Sequence, residues 1–98
     1  MAKTKNPTIK QIAKIAVPIL KKKGVKKESL FGSYARREAK KRSDIDMIIQ
    51  PPKGMGLEFF GLNLELEEKL GKKVDLLTYK SIHPLLKKYI LKDEVRIL

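Results

Sequence analysis

Leu30-Phe31-Gly32-Ser33 and, after ten intervening residues, Asp44-Ile45-Asp46-Met47-Ile48-Ile49 are the two stretches on which the reading of this chain turns. In the first, an apolar run ends at Gly-Ser, the pattern of a strand running into a helix start. Glycine lets backbone approach a ligand closely, and free N–H groups at a helix start attract phosphate. Ser33 adds a hydroxyl and is the expected N-cap of a short helix over 33–40. In the second stretch Ile45 to Gln50 reads as a strand. Alternation puts Asp44 and Asp46 on one face, with Ile45, Met47 and Ile49 turned toward covering helices. Aspartate is disfavoured in strands, yet Asp75, one of only two others in the chain, also sits in a strand-like run, between Val74 and Leu76. Three carboxylates on one sheet face repel strongly. A hard cation with oxygen ligands, magnesium above all, relieves that repulsion. Each feature alone has a bland reading, as a strand-end acid in solvent paired with lysines or as an ordinary turn. Together, a phosphate cradle facing an aspartate pair is the apparatus of phosphoryl or nucleotidyl transfer.

Outward from this centre, Asn6-Pro7-Thr8 reads as a helix start with Pro7 near the first helical position. Ile9, Ile12, Ala13, Ala16 and Leu20 follow at helical spacing. Pro18 is expected to bend or shorten that helix, and Lys21-Lys22-Lys23-Gly24 to end it. Val25 to Phe31 reads as the first strand. Pro51-Pro52-Lys53-Gly54 breaks the second. Leu57 to Leu70 is a helix stopped by Gly71, and Val74 to Tyr79 a third strand. Pro84 opens a last short helix, and Val95 to Leu98 can add a terminal strand. The order α-β-α-β-α-β-α with short connections predicts one α/β layered domain on a small sheet over residues 1–98. On the long helix Phe59, Leu62, Leu66 and Leu70 share a face, while Leu57, Phe60 and Leu64 lie largely opposite. The second face predicts either a loop cover or a protein-binding surface.

The 98 residues suit one core and one site. No cysteine and a single histidine, His83, exclude disulfides, thiolate metal sites, cysteine catalysis and multi-histidine metal centres. No apolar run of about 18 residues exists for a membrane helix, and no signal peptide is visible. A cytoplasmic location and no membrane partner are expected. The net charge of +12 favours polyanionic partners: nucleotide phosphates, nucleic acid or an acidic protein. A diffuse lysine excess can equally serve solubility.

Gly32-Ser33-Tyr34-Ala35-Arg36-Arg37-Glu38-Ala39, followed by Ser43-Asp44-Ile45-Asp46-Met47-Ile48-Ile49, resembles the minimal nucleotidyltransferases of the DNA polymerase beta superfamily. Their signature is Gly-Ser, ten residues, Asp-x-Asp, and a third acid on a later strand; Lys73-Val74-Asp75-Leu76-Leu77 looks like that third element. One departure is Arg37, where many members carry glycine. The resemblance covers nearly the whole chain and implies the single-domain nucleotidyltransferase fold on a small mixed sheet. It implies that Asp44, Asp46 and Asp75 are catalytic and hold magnesium, two ions in all, and that Gly32, Ser33 and Arg36 bind the nucleotide. It also implies a protein adenylyltransferase, the antitoxin of a toxin–antitoxin pair, that moves AMP from ATP to a tyrosine of a HEPN-type RNase toxin. ATP or another NTP and that toxin are the expected partners. The alternatives are an antitoxin that neutralises by binding alone and a basic RNA-binding module; the sequence leaves direct nucleic-acid binding open.

The remaining basic residues of the Arg36, Arg37, Lys40, Lys41, Arg42 cluster read as a solvated helix face. Tyr34 can line a nucleotide pocket or pack. His83, before Pro84, reads as a helix-start residue and not as a base.

Overall fold

A computed structural model describes residues 7–40 and 43–98. Asn6, Lys41 and Arg42 lie outside the described residues. Helix α1 spans Ile9–Lys22. It starts one residue later than Pro7 suggests, because Thr8 is the cap. Thr8 Oγ1 accepts from the Gln11 N–H at 3.1 Å, and Gln11 Oε1 accepts from the Thr8 N–H at 2.9 Å, a reciprocal closure of two free donors. Pro18 does not end the helix. Proline removes one internal bond, but the Ile12, Ala16, Leu20 stripe is wholly buried and holds the segment in place; each large apolar side chain in it is worth about 1.5–3 kcal/mol.

Strand β1, Lys27–Phe31, begins two residues later than expected. Val25 is buried, but its N–H closes the end of α1 on Leu20 O at 3.0 Å. The single-turn α2, Gly32–Ala35, is followed by β2, Ile45–Gln50, and α3, Glu58–Leu70. Strand β3, Val74–Thr78, gives way at Tyr79 to a 3-10 turn, Tyr79–Ser81. There the hydroxyls of Thr78 and Ser81 cap each other's N–H groups at 3.2 and 3.3 Å. Helix α4, Pro84–Lys92, and the short β4, Val95–Arg96, complete the order. His83 caps α4 by accepting the Leu85 N–H on Nδ1 at 3.1 Å, the helix-start role read from its place before proline.

The sheet is mixed, in the order β3-β2-β1-β4. β2 runs antiparallel to β1 and parallel to β3, and β4 runs antiparallel to β1. Leu30, Ile45, Met47, Ile49, Val74 and Leu76 point to one face and form the core with Ile12, Ala16 and Leu20 of α1 and Leu62 and Leu66 of α3. Phe59 and Leu70 pack at its margin, completing the predicted core face of α3. Gly71 ends α3 in the left-handed conformation at φ +70°.

Glu28 shares the core face with Leu30 and has no solvent exposure. Among the described residues neither carboxylate oxygen has a hydrogen-bond partner. Burial pushes its pKa up to about 8, so it sits in the core as a neutral acid at pH 7. The second sheet face carries Lys27, Ser29 and Phe31 of β1, Asp46, Ile48 and Gln50 of β2, and Asp75 and Leu77 of β3. Ile48 is buried at its centre, where the Tyr79–Ser81 turn packs on β2. The two ends of this face remain open to chemistry.

Candidate active site

The parallel register sets Asp46 beside Asp75, and the antiparallel register sets Phe31 beside Asp46. The first consequence falls on Gly32, the next residue of the chain. Its φ is +71°, a conformation that side chains disfavour. A Cβ at Gly32 would also stand 3.0 Å from Asp46 Cγ and closer still to Oδ2. What occupies the missing side chain's space is therefore the Asp46 carboxylate. The Gly-Ser turn and the aspartate strand, ten residues apart in sequence, are locked together at this point.

Asp46 is half-buried and is pushed up to about 6, by burial first and then by the charges of Asp75 and Asp44; Arg36 acts in the opposite sense. Asp44 precedes β2 and is exposed, and Asp75 is exposed on β3. Asp46 and Asp75 are register partners on one sheet face; the strand alternation expected to place Asp44 with Asp46 does not extend to Asp44, which precedes β2. Asp44 reaches the site from the lead-in to the strand and not from within it. Among the described residues no three acidic or histidine side chains are gathered closely enough to enclose an ion. The donor set is nonetheless all oxygen, and the uncompensated charge on Asp46 is what a hard cation neutralises. These residues fit magnesium.

The helix expected over 33–40 is a single turn, and Ser33 does not cap it. Phe31 takes the cap position without a side-chain bond. Arg37 ends the turn at φ +61°, and the Glu38 N–H folds back to Ser33 O at 2.8 Å. The one position where this chain replaces the family's glycine is thus a left-handed one, which arginine adopts at a cost of about 1–2 kcal/mol. With one turn of helix, the summed peptide dipole is small. What the turn offers an anion is therefore local N–H groups and the Ser33 hydroxyl, not a helix dipole.

Arg36 does not stand free beside the cradle. Its Nε donates to Glu38 Oε1 and its Nη1 to Asp93 Oδ2, both at 3.0 Å. Asp93 is the C-cap of α4, so Arg36 fastens the cradle turn to the distant end of that helix. Tyr34 is buried in the core, and among the described residues its hydroxyl has no hydrogen-bond partner; it packs there and also borders a cavity beside Arg37 and Ala39.

A second polar cluster on the same sheet face escaped sequence reasoning. Ser29 Oγ donates to Glu94 Oε2 at 2.5 Å, and the Tyr79 hydroxyl reaches Glu94 Oε2 at 2.6 Å and Ser29 Oγ at 2.9 Å. Lys27 Nζ lies 4.4 Å from the Tyr79 ring centroid. Burial, and then Glu94, push Tyr79 up to about 12. Burial opposes ionisation of Glu94 too, but the bonds from Ser29 and Tyr79 outweigh it and hold the carboxyl below its ordinary value. The parity of Lys27, Ser29 and Tyr79 was readable from the strands; Glu94, 65 residues from Ser29, was not.

A mixed sheet that brings a Gly-Ser turn against an Asp-x-Asp strand, with a third acid alongside, defines a nucleotidyltransferase-type site. The family model described as polymerase beta, nucleotidyltransferase, matches residues 10–98, and the chain belongs to that family. A Methanocaldococcus jannaschii protein named "Putative protein adenylyltransferase MJ0435" is 53% identical over 91 residues, which cover 92% of this chain and 98% of that one. A solved structure described as a "putative minimal nucleotidyltransferase" superposes with a TM-score of 0.75 at 28% identity, over 85% of this chain and 86% of that chain. A chain in the solved complex of tri-AMPylated Shewanella oneidensis HEPN toxin with MNT antitoxin superposes with a TM-score of 0.71, over 91% of this chain and 71% of that one. Its 18% identity makes that a likeness of fold. Among the described residues no helix is long and apolar enough to cross a membrane.

Proposed function

We propose that residues 1–98 form a minimal, cytoplasmic protein adenylyltransferase that moves AMP from ATP to a tyrosine of a HEPN-type toxin and so acts as its antitoxin. The observation that carries this reading is the packing of the Asp46 carboxylate on Gly32, with Asp75 in register beside it. The relatives' names and the AMPylated toxin complex support the choice of nucleotide and acceptor. In the reaction the tyrosine hydroxyl gives up its proton to solvent, its oxygen bonds to the α-phosphorus of ATP, and the bond from that phosphorus to the bridging oxygen breaks. Pyrophosphate leaves with the electron pair. Asp44, Asp46 and Asp75 are the residues that would hold magnesium, two ions in all, which supplies charge neutralisation at the phosphates and a more acidic acceptor hydroxyl. Gly32 and Ser33 hold the triphosphate through backbone N–H groups and the Ser33 hydroxyl. Arg36 contributes positive charge to it from beside Asp46.

The test is incubation with labelled ATP, magnesium and a HEPN-type toxin from the same organism. Label on a toxin tyrosine is the expected product. Asp44→Asn with Asp46→Asn is expected to abolish labelling while the circular dichroism melt stays cooperative. Neutralisation of the toxin without any label would replace this reading by an antitoxin that acts through binding alone.

A further inference from the structure

Beyond the active site, the open sheet face ends in a groove of about 850 Å³ between the Pro51–Gly54 turn and α4. Lys27, Lys53, Lys80 and Lys87 line it. Lys53, Lys80 and Lys87 form no ion pair with a described residue. The groove's single carboxylate, Glu94, is already committed to the Ser29 and Tyr79 hydroxyls. Four ammonium groups against one satisfied acid make a site for a polyanion.

Two polyanions fit that charge, a nucleic-acid strand and an acidic peptide, and the lining separates them. Single-stranded nucleic acid is held by stacking bases on aromatic faces. Tyr79 is the one aromatic residue in the groove, and the Lys27 ammonium already covers its ring. Pro51, Pro52 and Leu91 instead offer apolar walls suited to the aliphatic stems of a peptide. The position also matters. Gln50 in the groove and Asp46 in the active site lie on one strand and one face, four residues and therefore about 13 Å apart. The Tyr79–Ser81 turn covers Ile48 between them, so a chain docked in the groove reaches the acids by passing over that turn, a path of roughly six to eight extended residues.

We propose that this groove docks an acidic segment of the acceptor polypeptide and presents a tyrosine roughly six to eight residues away, across the Tyr79–Ser81 turn, to the site at Gly32 and Asp46. The proposal rests on the protein-acceptor reading above.

The test uses a tyrosine peptide with a run of glutamates roughly six to eight residues from the tyrosine, and its glutamine counterpart. With the full chain, ATP and magnesium, the acidic peptide is expected to show a KM about tenfold lower at similar kcat. Lys53→Glu with Lys87→Glu is expected to erase that difference and leave ATP affinity unchanged; both side chains are exposed, so folding is spared. Equal KM values for the two peptides, or a preference that survives charge reversal, would overturn the proposal. So would displacement of the labelled acidic peptide by a single-stranded RNA of equal charge at lower concentration, which would make the groove a nucleic-acid site. Anisotropy of the labelled acidic peptide on the Asp44→Asn, Asp46→Asn protein isolates the groove from catalysis. Binding there that charge reversal removes, with no peptide ever adenylylated by the wild type, upholds the groove and overturns the transferase reading instead.

Discussion

Gly32 serves two demands at once, a positive φ and a carboxylate seated where its side chain would be. Gly32→Ala is therefore expected to cost about 1–3 kcal/mol from the backbone alone, and more from displacing Asp46. The two contributions separate in a double-mutant cycle. In an Asp46→Ala background the Gly32→Ala penalty is expected to shrink toward the backbone part, measured by urea unfolding. Strictly additive penalties would mean that Asp46 does not press on this glycine. Glu28 makes the other prediction at this scale. Its folded pKa, about 8, is raised above the ordinary 4.5. The folded state thus retains a proton that the unfolded chain releases. Stability is full below pH 4.5, declines as pH rises toward 8, and levels off above it. Glu28→Gln is expected to flatten that decline and to stabilise the protein by a few kcal/mol at pH 9, while changing little at pH 4. Melts of both proteins across that range check it; parallel pH profiles would show that Glu28 titrates normally.

Among the elements, the strands were legible because their apolar residues alternate onto the core face at Ile45, Met47 and Ile49 and at Val74 and Leu76; burial itself does not alternate in β1 and β2, where Ser29 and Ile48 are covered on the opposite face. The buried stripes of α1 and α3 were legible for the same reason. The failures cluster where a local pattern met a constraint from elsewhere. The short α2 could not be foreseen, since residues 33–40 carry no glycine to mark the left-handed turn that Arg37 makes. The partner of Arg36, Asp93, is 57 residues away, beyond any local pattern. Arg37→Gly removes the strain at the end of α2 and is expected to raise stability by about 1 kcal/mol, read as an upward shift in Tm. An unchanged or lower Tm would mean that contacts of the arginine outweigh its backbone cost. On α3 the divided face is as the spacing predicted. Leu57, Phe60 and Leu64 are 83%, 65% and 66% exposed. Phe60→Asp is expected to leave the melt unchanged and ATP affinity intact. It is also expected to weaken the toxin complex by about 2 kcal/mol or more if the phenyl ring is a buried anchor there. Calorimetric titration decides, and unaltered affinity would remove Phe60 from the interface.

At the scale of the whole molecule, the architecture divides labour across the sheet: α1, α3 and the core on one face, acids and lysines at opposite ends of the other, where α4 borders the lysine end. Asp75 sits on β3 while Gly32 and Asp46 come from β1, α2 and β2. Asp75→Asn is accordingly expected to depress transfer far more than ATP affinity, with binding measured by calorimetry and transfer by labelled product. Collapse of binding with normal transfer per bound nucleotide would reverse that assignment. The sequence carried the site's acids and turn because they follow a fixed spacing; it could not carry the lysine groove, which forms only when residues 27, 53, 80 and 87 meet. The strand order has a further consequence, one of timing. β1 is the second element made, yet its outer edge pairs with β4, whose residues lie 65 positions later. At about 5–20 residues per second during synthesis, that edge stays unpaired for roughly three to thirteen seconds. During this window the nascent sheet is open to wrong pairing, and the backbone of Glu28 awaits the bonds that Ile97 and Leu98 later make to it. Slow translation therefore lengthens the exposure of this edge and crowding makes it more costly, because the strand that covers it is made last among the four.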